Sequence, residues 1–324
     1  MAAEMNFDAV KSFDAEYLLF PPFVAAFDAI DTLLSQYRQT GLAENLLVTG
    51  ESGTGKTTLC RSLLHKYPRV AYPERDVVPV LFVPIPPAAT IGGVTEQMLS
   101  RLGDPAPSVG TTSAKTARAV HLARACSVEM LLFDEANHIQ DRGKSPTQYH
   151  VGDWLKALTD ELGKPCVLLG LPRVEALLRV NEQLRRRFTR HLRMELGQDP
   201  DTSMETQCLQ LFNSLAQALP IPFSPGGMAW SELAQRVRFG TDGRVAYFKV
   251  LLAEALRAAL SNSIDKLTVH DLENAFTAAI WPQGVGSLNP FNPAFKFRAL
   301  DRGGEPFERG ALGGGKRREA AHAG

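Results

Sequence analysis

The stretch Gly50-Glu51-Ser52-Gly53-Thr54-Gly55-Lys56-Thr57 follows the apolar run Leu46-Leu47-Val48 and precedes residues 57–65, where apolar positions recur at helical spacing. Glycines at 50, 53 and 55 let the backbone curl tightly enough to aim several N–H groups at one point, an approach that side chains would block. A lysine and a hydroxyl then stand at the positive end of the following helix. Strand, glycine-rich turn and helix in this order read as a phosphate-binding loop, in which Lys56 reaches the β- and γ-phosphates of a nucleotide and the Thr57 hydroxyl coordinates Mg²⁺. The expected ATP-binding residues are Gly50, Glu51, Ser52, Gly53, Thr54, Gly55, Lys56, Thr57 and Thr58. A chance glycine turn with an exposed lysine would carry no such flanking strand and helix.

Working outward, short unalternating apolar runs at 77–83, 130–133 and 166–169 are separated by helical stretches at 94–102 and 114–127. That is the pattern of a parallel sheet buried on both faces and joined by crossover helices. A last strand is expected at 191–196. From 204 to 280 the signals are helical only: 204–219, 229–238, 244–260, and a final helix whose start at Thr268, with Asp271 three residues on, has the form of a capping box. The expected fold class is α/β: a helical lead-in over 1–40, a five-stranded parallel sheet with helices on both faces over 41–200, and a small all-helical lid over 201–281. Residues 282–324 contain Asn289-Pro290-Phe291-Asn292-Pro293, glycine runs and Lys316-Arg317-Arg318, and read as a flexible tail. The Asn289–Pro293 segment is open to two readings, a short docking motif or an extended stretch packed on the lid.

Composition narrows the class less than it excludes. Lysine plus arginine and aspartate plus glutamate both total 35, so no global positive charge announces nucleic acid, and such a contact must come from a local patch. Cys60, Cys126, Cys166 and Cys208 form no C-x-x-C pair, which points away from a zinc site or disulfide framework and towards a reducing, cytoplasmic compartment. His121 and His138 have no second ligand at metal spacing. No apolar run approaches the ~18 residues of a spanning helix and no secretory leader precedes Phe20, so a soluble protein is expected.

The second chemical element is Met130-Leu131-Leu132-Phe133-Asp134-Glu135, an apolar strand delivering two adjacent carboxylates at its C-terminal end, where ligands of open α/β sheets bind. Asp134 is expected to hold the magnesium, and Glu135 to polarise the water that attacks the γ-phosphate. Phosphoryl transfer also calls for a cation near the developing charge. The stretch Asn181-Glu182-Gln183-Leu184-Arg185-Arg186-Arg187-Phe188 supplies three arginines, and Arg244 follows Thr241-Asp242-Gly243 at a helix start. The bland reading of each is a solvated surface charge.

Together, the phosphate loop, the Leu-Leu-Phe-Asp-Glu strand, the arginine-ended helix before a strand and the helical lid resemble the AAA+ ATPases. The combination with Phe-Asp-Glu-Ala-Asn-His, Leu-Leu-Gly-Leu-Pro and the Asp-Gly-Arg lid helix resembles more narrowly the TniB family of transposition ATPases, relatives of TnsC, over about residues 20–295. The resemblance implies a protein that binds and hydrolyses ATP with Mg²⁺ and assembles on duplex target DNA as a ring or filament. It also implies recruitment of a transposase alongside a TniQ-type targeting protein. It makes Arg187 the arginine finger acting in a neighbouring subunit and Arg244 the lid arginine called sensor 2. In one departure, Gly170-Leu171-Pro172 stands where a polar sensor 1 residue is expected. Candidate DNA contacts are Thr111, Thr112, Lys115 and Arg118 after Gly110, and Arg142 and Lys144 flanking Gly143, each with a plain solvated loop as its alternative. Rival readings are an AAA+ ATPase of a secretion or helicase-loading pathway, and a nucleotide-gated scaffold in which hydrolysis is incidental.

Overall fold

A computed structural model describes residues 10–13, 20–87, 90–141 and 145–308. Helix α1 (Pro21–Thr40) opens with proline at its first turn and turns Phe23, Ala26, Ile30, Leu33 and Leu34 inward. It leads to β1 (Asn45–Thr49), the phosphate loop and α2 (Lys56–Lys66). A small antiparallel hairpin, β2 (Val70–Ala71) with β3 (Asp76–Val77), precedes β4 (Val80–Pro84). The single run expected at 77–83 is therefore divided, because Pro79 has no N–H to continue a ladder and instead accepts from Glu129 N–H at 2.9 Å. Helices α3 (Ile91–Arg101) and α4 (Thr112–Ala125) cross back to β5 (Met130–Asp134). Short α5 (Asn137–Asp141) and α6 (Ser145–Leu162) lead to β6 (Cys166–Gly170), and α7 (Glu175–Val180) and α8 (Glu182–Arg187) to β7 (Arg190–Arg193).

The main sheet is parallel and runs β4-β5-β6-β1-β7. Its period of two separates two cores. Leu46, Val48, Leu132, Val167 and Leu169 face α1, α2 and the lid, while Leu47, Leu131, Phe133 and Leu168 face α3, α4, α6 and α7. The three central strands are buried along their whole length, as their unbroken apolar runs require. Edge strand β7 carries Arg190, His191 and Arg193 and ends earlier than the 196 expected, although Met194 N–H still donates to Thr49 O at 2.7 Å.

The lid consists of α9 (Met204–Gln217), α10 (Trp230–Thr241), α11 (Val245–Ser261) and α12 (Val269–Ala275), the last running on as a π-turn over Phe276–Ile280. The capping box at Thr268 is present, with Thr268 N–H donating to Asp271 Oδ2 at 2.7 Å.

Residues 282–308 differ from the flexible tail expected. Phe291, Phe295, Leu300 and Phe307 are buried in the same core as the lid. The buried Asn289 amide donates to Glu273 O, Thr277 Oγ1 and Gly284 O at 2.9, 3.1 and 3.0 Å. The buried Arg236 guanidinium donates to Pro290 O and Asn292 O at 2.7 Å each. Of the two readings of Asn289–Pro293, packing on the lid is the one observed. Burying each phenylalanine contributes about 1.5–3 kcal/mol. Residues 309–324, with Lys316-Arg317-Arg318, lie outside the described residues.

Candidate nucleotide site

The phosphate loop hangs between β1 and α2 over the carboxyl edge of the sheet, tied at its start by Gly50 N–H to Gly170 O at 3.1 Å. Gly53 and Gly55 have φ of +84° and +94°, the left-handed region that L side chains rarely adopt. A Cβ on Gly50 would come within 2.6 Å of Thr54 Oγ1, so the loop curls as tightly as its glycines predict. Thr54 Oγ1 donates to Glu51 O at 3.0 Å. Lys56 is buried, and its Nζ donates to Gly50 O and Glu51 O at 2.7 and 2.9 Å, which places the ammonium inside the curl. Burial lowers its pKa, against the opposing pull of Glu135, Asp134 and Glu51. Ser52 and Thr57 are exposed on the loop, with Thr58 half-buried beside them.

The two halves of the expected metal site meet. Thr57 Oγ1 donates to Asp134 Oδ2 at 3.2 Å, although 77 residues separate them, because β5 ends level with the first turn of α2. Asp134 is buried and accepts Glu135 N–H on Oδ1 at 2.9 Å. Burial raises its pKa, and the charge of Glu135 adds to this; the Glu135 N–H, Thr57 and Lys56 oppose it. A hydroxyl and a carboxylate are hard oxygen donors, suited to a Mg²⁺ that draws the rest of its shell from phosphates and water. Glu135 follows with φ +57°, a strained conformation for a non-glycine residue, which turns the chain sharply at the strand end.

The lid touches the loop directly. Ala246 N–H donates to Gly53 O at 3.0 Å, and a Cβ on Gly53 would lie 2.8 Å from Ala246 Cβ. Two residues earlier, Arg244 caps α11 and is buried. Its Nε and Nη2 lie 3.0 and 2.8 Å from Asp242 Oδ2, and its guanidinium sits 6.0 and 5.8 Å from the rings of Tyr247 and Phe307. The fold thus brings Arg244 close to the loop but pairs it within the lid.

Arg187 lies elsewhere. It pairs with Asp160 at 2.7 Å, is 47% exposed, and lines a cavity of about 300 Å³ with Asn45, Gly163 and Lys164, at the amino ends of β1 and β6. At ~3.3 Å per residue, β1 holds that position roughly 13 Å from its own phosphate loop. Arg186 pairs with Glu182 at 2.7 Å. A second cavity, about 550 Å³, opens between Pro21, His191 and Gln207 and is lined by none of residues 50–58.

The DNA candidates fare unevenly. Thr111 caps α4, its hydroxyl accepting Ala114 N–H at 3.2 Å, and Thr112 is exposed beside it. Lys115 is not a free surface cation: its side chain is 9% exposed and bonded to Glu96 at 2.6 Å. Arg118 pairs with Asp104 and donates to Ala106 O and Val109 O at 2.9 and 3.2 Å, bracing the loop before α4. The acids Glu96 and Asp104 thus engage both expected DNA contacts within the chain. Arg142 and Lys144 lie outside the described residues. Sequence reasoning passed over Asn137, a buried polar residue three positions after Asp134, for which proximity to the carboxylates was the available signal.

A family model described as "Bacterial TniB protein" matches residues 16–195, more than half of the chain. Nothing significant matches among curated protein sequences. Among solved structures, Cdc6p from Pyrobaculum aerophilum is similar at 18% identity and TM-score 0.57, covering 83% of this chain and 70% of that one. The ORC2 protein of Aeropyrum pernix with ADPNP and ADP gives 15% and 0.55 over 82% and 70%. The ORC1 protein of Aeropyrum pernix in complex with DNA gives 17% and 0.54 over 79% and 65%. At such identities these likenesses speak to the fold, an AAA+ core with a helical lid. The chain belongs to the TniB family, transposition-associated proteins built on the AAA+ ATPase fold.

Proposed function

We propose that this chain is an ATP-hydrolysing switch of DNA transposition that assembles on duplex target DNA, as a ring or helical filament, and recruits the transposase and a TniQ-type targeting protein. The observation that carries the reading is the split of the site. Lys56, Thr57, Asp134 and Glu135 converge within one chain, whereas Arg187 stands at the far end of the sheet. A nucleotide held by one subunit is then completed by the arginine of its neighbour, so ATP reports assembly.

In this reading the loop N–H groups and Lys56 hold the β- and γ-phosphates, and Thr57 and Asp134 hold the metal. Bound Mg²⁺ supplies charge neutralisation across the phosphate oxygens. Glu135 orients the attacking water and accepts its proton. Arg187 from the neighbour and Arg244 from the lid stabilise the charge that develops, Arg244 after exchanging Asp242 for phosphate. For DNA, the exposed Thr111 and Thr112 remain the described candidates. An assembly repeats such modest contacts along a duplex, and their sum gives useful, salt-sensitive affinity. The DNA complex of the ORC1 neighbour supports the reading by fold analogy alone.

Electron microscopy of the protein with duplex DNA and a non-hydrolysable ATP analogue tests this. Ordered rings or filaments enclosing DNA, absent with ADP, are expected, and Glu135→Gln protein should persist in them with ATP. Dispersed monomers under both nucleotides would overturn the proposal.

A further inference from the structure

Asn137 is 1% exposed and sits at the carboxyl ends of β5 and β6, where the two carboxylates of the site emerge. The turn that carries it is stitched to β6: Ala136 N–H donates to Leu169 O at 2.8 Å, immediately after the left-handed Glu135. The Asn137 side-chain Oδ1 accepts Leu171 N–H at 3.1 Å. Because a backbone N–H can only donate, this bond fixes which end of the amide is oxygen. Gly170 makes room for it, since a Cβ there would lie 3.0 Å from Asn137 Oδ1.

The other end of the amide is unmatched. Among the described residues Asn137 Nδ2, with two protons to give, donates no hydrogen bond. That end of the amide is reached by solvent rather than sealed off, so water satisfies it until a better acceptor enters the site. The side chain lies beside Gly170, whose carbonyl accepts Gly50 N–H of the phosphate loop, and at that end of the sheet the acceptor of matching chemistry is an anionic phosphate oxygen. No side-chain donor is available from Gly170-Leu171-Pro172 at the end of β6.

Resting on the reading of ATP as ligand, we propose that Asn137 Nδ2 donates to the terminal phosphate of bound ATP and makes the site distinguish ATP from ADP. The turn after β5 thereby supplies the polar contact that the end of β6 lacks. A purely structural asparagine would serve Leu171 N–H alone and respond to both nucleotides alike.

Asn137→Asp separates these roles, because it keeps an acceptor for Leu171 N–H at nearly the same size and replaces the donor with an anionic oxygen. Nucleotide titrations by fluorescence in Mg²⁺ should show ADP affinity within about twofold of the native protein. Affinity for a non-hydrolysable ATP analogue should fall at least about tenfold, or ~1.4 kcal/mol. Equal changes for the two nucleotides, or no change, would overturn the proposal. Should the aspartate variant not fold, Asn137→Ala is read in the same pair of titrations with the same criterion. A native protein that bound neither nucleotide would overturn the ATP reading itself, and this inference with it.

Discussion

The two ends of β1 contrast in how their polar groups are held. At the carboxyl end Lys56, Asp134 and Asn137 are buried and oriented by backbone donors and acceptors. At the amino end Arg187, Asp160 and Lys164 surround an open, solvated cavity, and the Arg187 pair is of the surface kind that contributes about 0–1 kcal/mol. One end is preorganised within the chain at the cost of desolvating charge; the other gives up its partner cheaply. The shared site proposed above would need this asymmetry, since a half that binds ligand must be rigid and a half lent to a neighbour must be free to change partners.

The largest expected effect falls on the rigid end. Lys56→Ala should weaken ATP binding at least about 100-fold, the loss of charge-assisted hydrogen bonds at roughly 1.5–3 kcal/mol each, as measured by titration with a fluorescent analogue. Affinity retained within tenfold would remove Lys56 as the anchor.

The contrast is broken or kept by Arg187→Ala. Nucleotide binding by the dispersed protein should be unchanged, while hydrolysis by the DNA-bound assembly should fall by about 10²-fold or more. Mixing Arg187→Ala with Lys56→Ala protein sharpens the test, because each lacks a different half. Steady-state hydrolysis should partly recover in the mixture, and a mixture no better than its components would argue against a shared site.

The smallest effect concerns burial itself. With its folded-state pKa raised above the ordinary 3.8, the Asp134 carboxyl is favoured neutral by the fold. Without metal, the folded protein therefore loses stability as pH rises through that window and stays lower at neutral pH. Asp134→Asn removes the penalty, so at pH 7 without nucleotide its melting temperature should exceed the native one by roughly 1–3 °C. Mg²⁺ with nucleotide should reverse the order. A variant that melts lower than native under the first condition would refute the electrostatic account.

Much of the carboxyl end is legible in the sequence, because backbone geometry and residue type coincide there. A left-handed turn needs glycine, a metal needs oxygen donors, and a buried strand needs an unbroken apolar run. The helical lid is legible through its periodicity and the Thr268 cap. What escapes depends on partners distant in sequence. Lys115 reads as a surface cation until Glu96, 19 residues earlier, draws it in. The segment after Trp281 reads as loose because Asn, Pro and Gly are turn residues, yet Asn289 and Arg236 use the freed carbonyls of those turns to fasten it, and its phenylalanines fill the lid. Asn137 is inconspicuous because its significance lies in a glycine 33 residues further on.

The hydrogen bond from Ala246 to Gly53 has a thermodynamic consequence. It joins the first turn of the lid's third helix to the middle of the phosphate loop, and the core beneath runs unbroken from β1 through the lid to Phe307. Sheet and lid should therefore melt together in one calorimetric transition, and a ligand gripping the loop should raise the melting point of the lid as much as that of the sheet.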